Sequence, residues 1–313
     1  MKRIAVVAIG GNSLITDKEH QTVPDQYAAA SETCKHIAEL IRHDHDVVIT
    51  HGNGPQVGFI LRRSELAVKE LHMVPLDSCV ADTQGALGYH IVRALHNEFR
   101  KRDMRNQAVT VVTQVLVDRE DPSFKNPTKP IGSFMSREEA EERRRKDGWN
   151  VVEDAGRGWR RVVSSPVPVR ILELDAIAAL IRGGFTVVAA GGGGIPVVQG
   201  ADGDLAGAAA VIDKDLASSV LAQKLQADLL IISTGVEKVF LNFGKPDQKA
   251  LDRMTVAEAK RYMAEGHFKP GSMKPKVQAL IEFLGGGGKE GIITNPENLE
   301  RAVTGQTGTH IYP

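Results

Sequence analysis

The chain has 313 residues, 42% of them hydrophobic and 25% charged, which is ordinary globular usage for one large or two modest domains. Lysine plus arginine balances aspartate plus glutamate at 39 each and aromatics make up 5%, which argues against nucleic acid or a membrane surface as partner. Cys34 and Cys79 are the only cysteines and no apolar stretch approaches ~18 residues, which argues against a disulfide framework, a thiolate metal site and a membrane span.

The first apolar run, Ile4 to Ile9, is too short for the apolar region of a signal peptide, so a cytoplasmic protein is expected. It ends in Gly10-Gly11-Asn12. A helix is predicted from Asp25 to His43, with Ile37, Leu40 and Ile41 on one face. Val47 to Ile49 forms the next run and leads into His51-Gly52-Asn53-Gly54-Pro55. Thr83 to Lys101 carries Leu87, Ile91, Val92 and Leu95 at helical spacing. Leu172 to Ile181 reads as helix, then Thr186 to Ala190 runs into Gly191-Gly192-Gly193-Gly194. Leu205 to Leu225 also reads as helix. Leu229 to Ser233 leads into Thr234-Gly235-Val236, and Met273 to Leu284 closes the helical set. The Val- and Ile-rich runs do not alternate, so they read as strands buried on both faces of a parallel sheet. Strand followed by helix, repeated, is an α/β sandwich.

The stretch from about 118 to 168 breaks this rhythm. It is charged and proline-rich, with a helical segment from Ser136 to Lys146. Val151-Val152 and Trp159 to Val163 flank a turn-like Glu153-Asp154-Ala155-Gly156-Arg157-Gly158 and read as a hairpin. A small lid inserted in the main domain accounts for this. A structureless loop is the alternative, but that length is uncommon in a compact domain. The Glu141-to-Lys146 charge run reads as a solvated helix face.

Glycine lets backbone approach a ligand, and bare N–H groups can line an anion. Several glycine turns at strand ends therefore describe a phosphate-binding crevice. Gly10-Gly11-Asn12 can cradle a transferring group or be a plain turn. His51 to Gln56 sets two glycines around Asn53 and puts Pro55 in the first turn of a helix, whose N-terminus is a positive dipole end. His51 itself reads equally as structural or catalytic. In Ile212-Asp213-Lys214-Asp215, Lys214 can bind phosphates with Asp215 orienting it, or form a surface ion pair of little worth. Lys274 and Lys276 open a helix against its dipole, which favours an anion there, for Lys276 more than Lys274.

Motif spacing narrows the chemistry. There is no G-x-x-x-x-G-K-[ST], so this is not a P-loop enzyme. The formal G-x-G-x-x-G at Gly286, Gly288 and Gly291 follows a helix and precedes a strand, the wrong order for a dinucleotide turn, and is assigned to a helix-ending loop. No H-E-x-x-H or G-x-S-x-G occurs, and the ten histidines do not cluster at metal spacing.

Taken together, the sequence resembles carbamate kinases, within the amino-acid kinase superfamily, over nearly its whole length. The resemblance rests on Ile9 to Asn12, Thr50 to Gly58, Pro75 to Cys79, Phe124 to Gly132 and Glu153 to Arg160. Gly191 to Val197, Val211 to Asp215 and Phe268 to Lys276 complete it. The superfamily normally has a lysine two residues before its first Gly-Gly. Ala8 stands there, and carbamate kinases likewise lack it, supplying a lid lysine that maps to Lys129. Lys274, where an apolar residue is common, is a mild departure.

The resemblance implies a three-layer αβα sandwich with an open, mostly parallel eight-stranded sheet. It implies one domain over residues 1–313, with the lid at 118–168. It implies the reaction ATP + carbamate ⇌ ADP + carbamoyl phosphate, with Mg²⁺ held mainly by the nucleotide phosphates. Such enzymes usually run toward ATP in arginine or related carbamoyl catabolism, as cytoplasmic homodimers. Lys129 and Lys214 are expected on opposite sides of the moving phosphoryl group, Lys276 on the ADP-side phosphates, and Asp215 holding the lysines. Carbamate and the phosphoryl group are expected on Gly10, Gly11, Asn12, Gly52, Asn53 and Gly54, with Gly191, Gly192 and Gly193. Lys214, Ser233, Thr234, Gly235, Val236, Val239, Phe243, Gly271, Met273 and Lys276 are expected around the nucleotide.

Two rivals remain open at this point. One is a kinase of another small carboxylate on the same fold. The other is a nucleotide-binding sensor without catalysis. A dehydrogenase fails on the missing fingerprint.

Overall fold

Eight strands make the central sheet of the computed structural model, which describes residues 2–10, 14, 15, 17, 19–154 and 158–313, the Ser133 side chain excepted. Across the sheet the order is Arg253–Thr255, Thr309–Tyr312, Glu290–Thr294, Leu229–Ser233, Arg3–Ile9, His45–His51, Phe185–Val188 and Gln107–Thr110. From Glu290–Thr294 to Gln107–Thr110 every pair is parallel. Thr309–Tyr312 runs antiparallel to Glu290–Thr294.

The non-alternating runs have the meaning expected of them. Val6, Ala8, Val48, Leu230 and Ile232 face one apolar layer with Ile177, Leu221 and Leu280. Those three come from the helices Leu174–Arg182, Lys214–Lys224 and Met273–Gly285. Ala5, Val7, Ile9, Ile49 and Ile231 face the other layer, with Ile37, Leu40, Leu87 and Ile91. These come from Val23–Arg42 and Leu76–Lys101. The result is the three-layer sandwich. Each fully buried Val, Leu or Ile contributes about 1.5–3 kcal/mol relative to exposure, so both faces stabilise the sheet.

Two helices start earlier than the sequence periodicity suggests. Thr22 caps the first, accepting from Asp25 N while Asp25 Oδ2 accepts from Thr22 N at 2.9 Å. The long helix begins at Leu76 because Leu76, Cys79 and Val80 pack on Val57, Leu61, Ile131 and Val163, a separate apolar cluster. The expected helix from Leu205 to Leu225 is corrected. Leu205–Gly207 is a strand antiparallel to Ile195–Gln199, and the helix spans only Lys214–Lys224. Gly203 turns the chain at φ +92°, and Asp213 caps the helix by accepting from Asp215 N at 2.9 Å. In the glycine-rich segment after Met273–Gly285, Gly286 and Gly288 lie in the turn but Gly291 is within a strand.

Within 118–168 the chain forms its own three-stranded antiparallel sheet. The order is Lys129–Met135, Trp159–Val163, Asn150–Glu153. The helix Arg137–Asp147 is capped by Ser136 and ended by Gly148 at φ +66°. The hairpin is therefore present, although its turn residues 155–157 lie outside the described residues. This insertion touches the helix Gly54–Leu66 so closely that a Cβ on Gly58 would lie 2.9 Å from Gly132 Cα.

Parallel pairing puts the C-terminal ends of Arg3–Ile9, His45–His51, Phe185–Val188 and Leu229–Ser233 on one edge. The chain leaves Arg3–Ile9 toward His45–His51 on one side, while Leu229–Ser233 leads to Glu290–Thr294 on the other. That reversal opens a crevice at the strand ends, where open α/β sheets bind ligands.

Candidate active site

The turn after Phe185–Val188 is the most constrained part of the crevice. Ala190 sits at φ +48°, and Gly192, Gly193 and Gly194 at +68°, +91° and +91°. These are left-handed conformations that favour glycine. Space demands glycine as well. A Cβ on Gly192 would lie 2.1 Å from Asn53 Nδ2, and one on Gly193 2.4 Å from Ile212 O. Gln84, from the long helix, ties the turn down. Its Nε2 donates to Gly191 O at 2.9 Å and Thr113 O at 3.1 Å, while its Oε1 accepts from Thr113 N at 2.8 Å. Asn53 donates from Nδ2 to Thr83 Oγ1 at 2.8 Å.

His51 belongs to this packing. It is 1% exposed, and a Cβ on Gly191 would lie 2.3 Å from its Nε2. Burial, aided by the positive field of Lys214, lowers its pKa to about 4. The neutral ring packs behind the crevice, against the Gly191 turn. The unfolded chain binds a proton near pH 6.5 that the folded chain refuses, so this contribution to stability is present above pH 6.5. It is lost as pH falls toward 4. An NMR titration is expected to leave the His51 ring neutral at pH 5.5, whereas a midpoint near 6.5 would contradict this packing.

Three lysines converge here from distant parts of the chain. Lys214 Nζ lies 2.6 Å from Asp215 Oδ1, and Lys276 Nζ lies 3.0 Å from Asp215 Oδ2. Lys214 Nζ also donates to Ala8 O at 3.4 Å. Asp215 is 3% exposed, and the two ammonium groups hold its carboxyl far below the usual carboxylate range despite the opposing effect of burial. Burial lowers the Lys214 pKa, and Asp215 opposes that. This buried triad is not the surface ion pair the motif allowed. Lys129, at the start of the insertion's first strand, pairs instead with Asp213 at 2.8 Å. The motif includes Asp213 beside Lys214 but gives it no role of its own, although an aspartate just before a helix is a capping signal.

A cavity of about 200 Å³ opens among these groups. Gly52, Asn53, Gly54, Lys129, Gly192, Lys214, Asp215, Gly271 and Lys276 all line it. Gly191 and Gly193 pack behind it. Gly10 ends the first strand with its Cβ position 3.0 Å from Ser233 O, and Gly11 and Asn12 lie outside the described residues. A neighbouring pocket of about 340 Å³ is lined by Thr234, Gly235, Val236, Phe243 and Met273, with Phe240, His267, Phe268 and Lys269 added. Ser272 lines both. Ser233 and Val239 are fully buried and do not line the pocket. Val239 N donates to Thr309 Oγ1 at 2.8 Å.

The amino acid kinase family model matches residues 3–295. The chain belongs to the amino acid kinase family. Within it, the chain is 54% identical to the carbamate kinase-like protein YahI of Escherichia coli, over 99% of both chains. It is 46% identical to the carbamate kinase of Thermococcus kodakarensis, again over 99% of both. The solved carbamate kinase of Giardia lamblia bound to AMP-PNP superposes with a TM-score of 0.93 at 39% identity. That match covers 99% of this chain and 98% of the other. As an amino acid kinase the chain is a phosphotransferase, and its lysine-lined cavity has the right chemistry. Cations and backbone amides set around one small space can spread the charge of a moving phosphoryl group.

Among the described residues, Glu39, His43 and Glu300 bring ligand atoms within 4.8 Å of one another. They lie outside the lysine-lined cavity, and Glu39 is already engaged by Arg102 at 2.6 Å. No helix among the described residues is long and apolar enough to cross a membrane.

Proposed function

We propose that this chain is a carbamate kinase, interconverting ATP and carbamate with ADP and carbamoyl phosphate. The observation that carries the proposal is the convergence of Lys129, Lys214 and Lys276 on one glycine-walled cavity. Carbamate is already an anion, so its oxygen can attack the γ-phosphorus without a general base. The chemical problem is to bring two anions together. Lys214 and Lys129 approach the phosphoryl group from the sheet side and the insertion side, and Lys276 takes the ADP-side phosphates. Asp215 fixes two of these ammonium groups and Asp213 the third. Gly52 to Gly54 and Gly192 present backbone close to carbamate. The pocket bounded by Phe243, Phe268 and Met273 receives the adenine and ribose.

Both cleft aspartates are committed to lysines, which suits a Mg²⁺ carried on the nucleotide phosphates rather than held by the chain. Bound there, Mg²⁺ would neutralise phosphate charge. The insertion acts as a lid: Lys129 is 37% exposed and rides on it, so closure brings the lysine onto the phosphoryl group and excludes water. Operation toward ATP in arginine or related carbamoyl catabolism, and assembly as a cytoplasmic homodimer, belong to the same proposal.

The test is ATP formation from carbamoyl phosphate and MgADP in a coupled assay, with acetyl phosphate as a competing substrate. Lys129→Ala is expected to lower kcat by about 10²–10³, the usual effect of removing one transition-state donor. Its melting temperature should barely move, because the lost ion pair is partly exposed. Full activity in the variant would remove Lys129 from the mechanism. No ATP from folded protein that binds MgADP would overturn the carbamate reading.

A further inference from the structure

A second cavity, of about 260 Å³, lies between the helix Gly54–Leu66 and the insertion. Arg62, Arg143 and Arg161 line it, with Glu65 and Glu139. Two of the arginines are engaged. Glu65 Oε2 lies 3.3 Å from Arg62 Nη1 and 3.5 Å from Arg143 Nη2, and Arg143 also reaches Asp147 at 2.9 Å.

Arg161 is different. Its guanidinium carbon lies 4.7 Å from the centroid of the Trp149 ring. Among the described residues it has neither an ion pair nor a side-chain hydrogen bond. Burial disfavours its charge, and Glu65 and Asp147 help only at a distance. An arginine side chain carries five N–H donors and stays ionised, so a partly buried one without an acceptor is an unfilled demand. None of its nitrogens is sealed from solvent, whereas Arg160 Nε beside it is. Its donors therefore remain open to an incoming group. The Trp149 ring gives it a cation–π contact, shared with Arg143, whose guanidinium carbon lies 5.0 Å from the same centroid, and that contact leaves the N–H donors of Arg161 free for an acceptor.

We propose that this cavity is a binding site for a small oxyanion, a carboxylate or a phosphate, gripped by Arg161 with Arg62 at its rim. The site is separate from the lysine-lined cavity but adjoins it. Ile131 lines both, two residues from Lys129.

Trp149 and Trp159 are the only tryptophans, so Trp159→Phe leaves Trp149 as a reporter inside the site. That protein is titrated separately with succinate and with inorganic phosphate, following Trp149 fluorescence. A saturable change with at least one anion is expected, and the responding arm identifies the chemistry. Arg161→Gln in the same background should raise the half-saturating concentration at least about tenfold, the loss of a bidentate charged contact. Arg62→Gln, at an exposed rim position, should raise it about threefold. No saturable response to either anion through the millimolar range would overturn the site. So would half-saturation unchanged in both variants. If Arg161→Gln loses its native unfolding transition, Arg62→Gln decides. The readout is binding, so its failure is distinguishable from failure of the carbamate reaction.

Discussion

Asp215→Asn is expected to abolish most activity and to destabilise the fold at neutral pH. The wild-type carboxylate accepts from both Lys214 and Lys276, and all three groups are largely enclosed. The amide removes one charge and leaves two ammonium groups facing each other in a site that already penalises charge. Breaking one member of a buried ion network costs about 3–5 kcal/mol, because the remaining charge is uncompensated. The loss in kcat/KM for MgADP is expected to be about 10²–10³, since the lysines lose position as well as charge balance. The pH dependence separates this account from general damage. The Lys214 pKa is already lowered by burial, and without Asp215 it falls further. Activity requires the ammonium, so residual activity should decline as pH rises through that lowered value. Stability should move oppositely. A lysine whose folded pKa lies below its unfolded value of about 10.4 imposes its full penalty below the folded pKa. The penalty is relieved as pH rises toward the unfolded value. The variant should therefore gain stability relative to wild type between neutral pH and about pH 10 while losing activity. Denaturant melts and rate profiles over this range measure both. Parallel wild-type and variant profiles would refute the coupling.

Much of this site was legible because its parts are local. Non-alternating valine and isoleucine runs mark strands buried on both faces, and a glycine turn at several strand ends marks where backbone nears a ligand. What was not legible depends on residues far apart in sequence. Gln84 fastens the Gly191 turn from 107 positions away, and Asp213 receives Lys129 from 84 positions away. No periodicity carries that information. The segment Leu205 to Ala210 misled for another reason. Its small apolar residues suit a helix, but all three residues of Leu205–Gly207 are exposed, and backbone pairing with Ile195–Gln199, with Gly207 close against Asp77, draws the segment into a strand. Ser233 and Val239 flank Thr234, Gly235 and Val236, which open on the pocket, while their own side chains are fully buried, a difference of side-chain direction that the motif does not carry.

Alanine at the two central glycines of the Gly191 turn should separate packing from chemistry. Both have left-handed backbones, so each substitution meets a conformational penalty of about 1–2 kcal/mol. The collisions differ. At Gly193 the new methyl meets Ile212 O, which is backbone leading into the helix that carries Lys214. Backbone cannot swing aside, so Gly193→Ala should lose stability first, with a melting temperature several degrees lower. At Gly192 the methyl meets the Asn53 amide, the end of a side chain that can rotate. Rotation relieves the clash but breaks the 2.8 Å bond to Thr83 and displaces a group lining the cavity. Gly192→Ala should therefore keep more stability and lose more activity, about 10²-fold or more in kcat/KM for carbamoyl phosphate. Gly54→Ala is the stability control. Its Cβ position has nothing within 4 Å, and it opens a helix, so stability should be unchanged or slightly higher. If Gly192→Ala retains activity within a few-fold while Gly193→Ala loses it, the turn acts by supporting the Lys214 helix and not by shaping the carbamate side of the cleft.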